Sequence, residues 1–228
     1  MKHIFVPTKS GDDWQQFLAE PERQWRTGFS AKALAYCWEQ ADGFPPEIAS
    51  LFSQSGVPSF QQVELLLAFP EYQVSLPGGK RPSQNDLFVL ARGADGHLIA
   101  ITVEGKVSEP FGPTLEEWSV SQSQGKKERL EFIRQSLGVN SEFPPQIRYQ
   151  LLHRTASAII EATRFNARSA VMLVHSFSQD DLWFEDFQAF MRLFGVEAQP
   201  NRLFWLKERH GINLYTGWAK GDAKFLTA

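Results

Sequence analysis

Three runs, 86–91, 98–107 and 170–175, are apolar at almost every position, whichever parity is counted. A strand turns successive side chains to opposite faces, so runs apolar at both parities must be covered on both sides. A solvent-faced sheet is thereby excluded. The most economical packing is a mixed sheet with helices on both faces, which makes the chain an α/β protein.

The punctuation between these runs supplies the helices. The first 58 residues read as a helical cap: Asp12 or Asp13 precedes 14–18, Ser30 precedes 31–41, and Pro46 opens 47–54. Ser59 and Gln62 form a capping box that predicts a helix over 59–68, stopped by Pro70. Strands follow at 72–76, 86–91 and 98–107, separated by Pro77-Gly78-Gly79 and by the turn at 92–97. Thr114 and Glu117 form a second capping box, opening a polar helix toward Leu137. Over 146–168, Ile147, Leu151, Leu152, Ala158, Ile159 and Ala162 share one side, while Gln150, Arg154, Ser157, Glu161, Arg164 and Arg168 share the other. A buried strand at 170–175, a helix near 181–194 and a hairpin of 203–208 with 212–218 complete the order. The expected organisation is a single domain over 1–228, with a helical N-terminal cap (1–58), a core (59–176) and a C-terminal helix and hairpin (177–228).

Composition narrows the partners. The chain has 228 residues, and its 23 Lys and Arg against 26 Asp and Glu leave a net charge of -3. Contact with nucleic acid must therefore use a local basic patch. The single cysteine, Cys37, removes any intrachain disulfide and any site built from several cysteines, and it fits a reducing compartment. The apolar run within 1–9 is too short for a signal peptide, and no segment approaches the ~18 apolar residues of a membrane span. A cytoplasmic location without membrane attachment is the expectation.

One constellation carries chemistry. If 86–91 pairs with 98–107 around a turn near Asp95, facing residues have numbers summing to about 190, so Asp86 lies opposite Glu104 and Gln84 opposite Lys106. One face is then wholly apolar, with Leu87, Val89 and Ala91 facing Val103, Ile101 and Ile99. The other has Phe88, Leu90, Ala100 and Thr102 at the turn end and Asp86, Glu104 and Lys106 at the open end. Two carboxylates facing each other across strands, with Cβ atoms ~5 Å apart, repel unless a cation neutralises them. A divalent ion or the lysine two residues beyond Glu104 would do so. Glu64, placed on the sheet-facing side of the 59–68 helix, is a third candidate acid.

An acid on a helix, then Pro82-Ser83-Gln84-Asn85-Asp86, a hairpin return to Glu104-Gly105-Lys106, a helix and a buried strand together resemble the PD-(D/E)XK nuclease superfamily. Within it the chain looks like a bacterial family outside the named restriction enzymes. The resemblance covers 59–176 and implies a restriction-endonuclease-like α-β-β-β-α-β core and metal-dependent hydrolysis of phosphodiesters in nucleic acid. It further implies that Asp86, Glu104 and the Gly105 carbonyl bind Mg²⁺ or Mn²⁺, that Lys106 positions or activates the attacking water, and that Glu64 is the helix acid. The sequence departs from the pattern in three places. Pro82 stands four residues before Asp86, Gly105 replaces an apolar residue, and no Gln-x-x-x-Tyr element is present, although Gln122 and Gln124 fall on the next helix.

The alternative is the same fold without catalysis, a module that binds protein or nucleic acid and uses the acid–lysine cluster as a structural ion pair. Lys80 and Arg81 after the Pro-Gly-Gly turn, Lys126 and Lys127 on the next helix, and the Arg154, Arg164 and Arg168 stripe are candidate phosphate-backbone contacts. The five histidines form no close ligand pair, and His175 reads as a satisfied core residue. P-loop, nucleophile-elbow and Rossmann spacings are absent from the sequence.

Overall fold

The central hairpin forms in the register expected from a turn near Asp95, with Leu87 paired to Val103, Val89 to Ile101 and Ala91 to Ile99. These pairings come from a computed structural model that describes residues 3–121 and 123–228, so Gln122 lies outside the described residues. Six strands form one mixed sheet: β1 (Glu64–Val74), β2 (Ser83–Arg92), β3 (Leu98–Lys106), β4 (Ser169–Ser176), β5 (Arg202–Arg209) and β6 (Ile212–Lys220). Their spatial order is β1-β2-β3-β4-β6-β5. The β3–β4 and β4–β6 pairs are parallel and the others antiparallel.

Both faces of the sheet are covered, as its composition requires. On one face Leu87, Val89, Ile99, Ile101, Val171 and Leu173 pack against the N-terminal helices α2 (Ser30–Gln40) and α3 (Pro46–Ser53), through Leu34, Trp38, Ile48 and Phe52. A short helix, α1 (Pro21–Gln24), precedes them. On the other face Phe88, Leu90, Ala100, Met172 and Val174 meet α5 (Gln124–Leu137), α6 (Tyr149–Arg164) and α7 (Phe184–Arg192). Among the described residues, no helix is long and apolar enough to cross a membrane.

Two expectations are corrected. The segment 59–68 is not a helix: a 3₁₀ turn at Pro58–Phe60 leads into β1, which begins at Glu64. The near-continuous apolar run 63–69 suits either period, and pairing decides it. Ala68 exchanges backbone hydrogen bonds with His3 and Phe5 on one side and pairs with Val89 on the other, while the Ser59 carbonyl accepts from Ala94. The core order therefore opens on a strand. The polar helix expected from Thr114 to Leu137 is two helices, α4 (Leu115–Ser119) and α5, because the Ser123 hydroxyl accepts from Lys126 N–H and caps a second start. The Thr114–Glu117 capping box itself forms.

The Pro-Gly-Gly turn is docked rather than free. Arg129 donates to the carbonyls of Leu76, Pro77 and Gly79, which holds the turn against the first turns of α5. Gly78 has φ 79°, and a Cβ there would collide with the carbonyl of Gly125 and the amide of Arg129. Gly78→Ala is expected to cost at least ~1 kcal/mol from backbone strain and overpacking. Urea unfolding measures it, and an unchanged midpoint would contradict this packing.

Candidate active site

The site begins where the sheet splits. Pairing between β2 and β3 ends at Leu87–Val103; beyond it β2 stays with β1 and β3 with β4, whose ladder runs on through Glu104–Val174 to Lys106–Ser176. The Gly105 N–H turns instead to a side chain, donating to Asp86 Oδ2 at 2.8 Å. Asp86, Glu104 and Lys106 thus converge at the open end of the hairpin as their spacing implies.

Glu104 and Lys106 are nearly sealed, with side chains 3% and 5% exposed, while Asp86 retains 22%. Glu104 Oε1 accepts from Lys106 Nζ at 2.5 Å and from Gln150 Nε2 at 2.6 Å, and Oε2 accepts from Arg154 Nε at 2.7 Å. Lys106 also donates to the Gly105 carbonyl at 3.1 Å and stands 5.0 Å from the centre of the Phe111 ring. Arg154 donates to Ser83 Oγ, which lies 2.7 Å from His153 Nδ1, and its Nη2 is 4.0 Å from Asp86 Oδ1. Because Ser83 Oγ accepts from Arg154, its own proton is free for His153.

Charges here are unequal in their comfort. Burial opposes ionisation of Glu104, but the adjoining Lys106 and Arg154 outweigh it and hold its carboxyl below the usual range. Burial, then repulsion from Glu104, pushes Asp86 up to about 7. Glu71 is pushed up to about 8 by burial and by the Asp86 charge. Burial opposes the charge on Arg154, yet Glu104 and Asp86 raise its pKa. His153 is held well below its ordinary value by burial and by Arg154 and Arg129.

Glu71 is the acid that sequence reasoning missed. It lies on β1 between Pro70, paired with Leu87, and Tyr72, paired with Asn85, so it stands beside Asp86, and its φ of 52° breaks the regular alternation. Gln84 donates to its Oε2 at 2.6 Å. Glu64, assigned to this role from sequence, sits at the other end of the strand, seven residues or roughly 20 Å away, exposed and paired with Arg92. Its placement failed with the helix it depended on. Arg154, a candidate phosphate-backbone contact from the sequence, is buried instead, and with Gln150 it turns from α6 toward Glu104. Their i, i+4 spacing was the available signal. Arg164 pairs instead with Glu161.

A cavity of about 580 Å³ opens onto Glu71, Gln84, Asp86, Glu104, Lys106 and Arg154. Asp86 and Glu104 carry the hard oxygen donors that Mg²⁺ or Mn²⁺ takes, although both Glu104 oxygens already accept from Lys106, Gln150 and Arg154. The Gly105 carbonyl already accepts from Lys106. The basic residues lie elsewhere. Contact of Gly78 with Gly125 brings the exposed Lys80, Arg81 and Lys127 to one region, while Lys126 donates to the Trp118 carbonyl. Gln124 begins α5 and hydrogen-bonds Glu128.

A second cluster joins Cys37, Glu47 and His175, whose ligand atoms lie within 4.8 Å of one another. Its hydrogen bonds argue against a metal. The Trp38 indole N–H can only donate, and it points at His175 Nδ1 at 3.2 Å, so the ring proton resides on Nε2 and is donated to Glu47 Oε1 at 2.8 Å. A metal on Nε2 would need that nitrogen's lone pair. Burial and the Glu47 carboxylate push the Cys37 thiol upward, which keeps it protonated. The cluster pins α2 and α3 to the end of β4, and His175 is a satisfied core histidine.

Fold and site define an α/β protein whose six-stranded mixed sheet carries a buried carboxylate–cation cluster at the floor of a cavity. It belongs to the family described as a domain of unknown function, DUF6946, whose model matches residues 7–223. No curated protein and no solved structure matches it.

Removing one partner from a buried ion pair costs ~3–5 kcal/mol, so Arg154→Met is expected to destabilise by about that amount in urea unfolding at neutral pH. Asp86→Asn, which relieves repulsion while keeping an acceptor for Gly105, is expected to be at least as stable as wild type in a chelator at pH 8. A loss above ~1 kcal/mol in the second variant would show that the Asp86 charge is stabilising.

Proposed function

We propose that the protein is a divalent-metal-dependent phosphodiesterase acting on nucleic acid, built on a restriction-endonuclease-like core and working in the cytoplasm. The observation that carries this reading is the convergence of Asp86, Glu104 and Lys106 on one cavity at the open end of the β2–β3 hairpin. A structural ion pair alone has no need of the crowded Asp86 and Glu71 beside it.

Asp86 and Glu104 would hold Mg²⁺ or Mn²⁺. The bound ion would neutralise charge on the phosphate and lower the pKa of its water. Lys106, anchored by Glu104 and the Gly105 carbonyl, would orient the nucleophile. Arg154 and Gln150 hold Glu104 in one rotamer from the helix above. Lys80, Arg81 and Lys127 supply exposed cations for more distant phosphates.

A second reading has its own observation. Both Glu104 oxygens are already bonded to Lys106, Gln150 and Arg154, as in a structural network on a non-catalytic binding module.

Thermal unfolding and cleavage of labelled DNA and RNA, each with EDTA, Mg²⁺ and Mn²⁺, separate the two. The nuclease reading expects a cation-dependent rise in melting temperature that Asp86→Ala removes. It also expects cleavage that falls at least ~100-fold in Lys106→Ala and Asp86→Ala while the circular dichroism spectrum is kept. Unchanged turnover in both variants overturns it, and an absence of cation response together with an absence of cleavage favours the binding module.

A further inference from the structure

Lys106 sits on the donors that the nuclease reading gives to a metal. Its Nζ donates to Glu104 Oε1 at 2.5 Å and to the Gly105 carbonyl at 3.1 Å, and these are two of the three groups assigned to Mg²⁺ or Mn²⁺. Asp86, the third, lies at the same end of the hairpin, where its Oδ2 accepts from Gly105 N–H at 2.8 Å. An ammonium held by a carboxylate and a backbone carbonyl has the hard oxygen surroundings that a small divalent ion takes.

Lone pairs leave little room for both cations. A carboxylate oxygen has about two acceptor sites. Those of Glu104 Oε1 are taken by Lys106 Nζ and by Gln150 Nε2 at 2.6 Å, while Arg154 Nε takes one on Oε2. A divalent ion on Oε1 therefore requires one donor to withdraw. Gln150 is neutral and fixed on α6, whereas Lys106 carries the charge that an incoming cation repels. Its flexible four-carbon stem lines the cavity of about 580 Å³ and can turn into it. The Gln150 amide also ends in a buried oxygen that no donor reaches among the described residues, so the present network leaves an acceptor at the site unsatisfied.

We infer that Lys106 is the resident counter-cation of the site: its ammonium occupies the place of a divalent ion on Glu104 and the Gly105 carbonyl, and it withdraws into the cavity when an ion binds. This inference rests on the nuclease reading and adds the regulation of the site. Lys106 is locked in the ion-free protein and is released to orient the nucleophile only when the metal takes its place. Hydrolysis then depends on the cation twice, once for neutralising the phosphate and once for freeing the lysine.

Two measurements without substrate test it. Calorimetric titration with Mn²⁺ compares wild type with Lys106→Met, which keeps a side chain of similar length and removes its charge. Pulse acetylation of wild type with and without Mn²⁺, read at Lys106 by mass spectrometry against the exposed Lys127, reports release directly. The variant is expected to bind Mn²⁺ at least ~10-fold more tightly than wild type. Lys106, 5% exposed in the ion-free protein, is expected to be acetylated several-fold faster once the ion is bound. Acetylation that Mn²⁺ leaves unchanged or slows overturns the inference even beside tighter binding in the variant, because repulsion at a distance would tighten binding too. Unchanged Mn²⁺ affinity in the variant overturns it as well, and in both cases Mn²⁺ binding by wild type leaves the nuclease reading standing. If neither protein binds Mn²⁺, the metal site fails and this inference fails with it. The acetylation measurement uses wild type alone, so it decides the question if Lys106→Met does not fold.

Discussion

Burying the Glu104 carboxylate is the constraint around which the rest of the site is arranged. A carboxylate with 3% of its side chain exposed is untenable unless each lone pair is answered. The chain answers with Lys106 from the same strand and with Gln150 and Arg154 from α6. That answer depends on the crossover from β3 to β4, which lays α6 across the end of the hairpin, and on the Thr102 hydroxyl, which donates to the Arg154 carbonyl. Ser83 and His153 then hold the far end of the Arg154 guanidinium. Three elements, β2, β3 and α6, are committed to one anion before any ligand is considered.

Much of this could be read from the sequence, for a physical reason. A turn centred near Asp95 sets facing residues whose numbers sum to about 190, which pairs Leu87 with Val103 and Val89 with Ile101 and brings Asp86 to the same end of the hairpin as Glu104. The run at 170–175 is long enough for a strand and apolar at both parities, so its central position followed as well. What failed was information that lies in long-range pairing. The 63–69 run is apolar without a period, and its partners, residues 3–5 and β2, decide its conformation. The acid of the first strand went with it: Glu71 reaches the cavity through a left-handed backbone that no alternation rule anticipates. Gln150 and Arg154 were misjudged because a polar helix face reads the same whether it meets water or a buried carboxylate.

The cluster at Cys37, Glu47 and His175 shows why proximity of donor types is a weak guide to chemistry. Its atoms are as close as metal ligands, but the direction of one indole N–H fixes the imidazole tautomer and assigns the group to holding helices on a sheet. The Asp86 side differs in that Glu71, Asp86 and Glu104 all line one cavity.

Leu34 of α2 seats close to the strand at Gly105, between Glu104 and Lys106, so the N-terminal cap packs directly against the strand that carries the buried ion pair. A cap seated so close to the reactive strand is not an appendage that could be trimmed or exchanged for that of another protein. An alanine at position 105 would meet Leu34 and Asp86 at ordinary contact distance, so it is a longer side chain there that would press on α2. Inheritance of the first 58 residues and of the Glu-Gly-Lys strand is thereby linked, and divergence in one should be matched by compensation in the other.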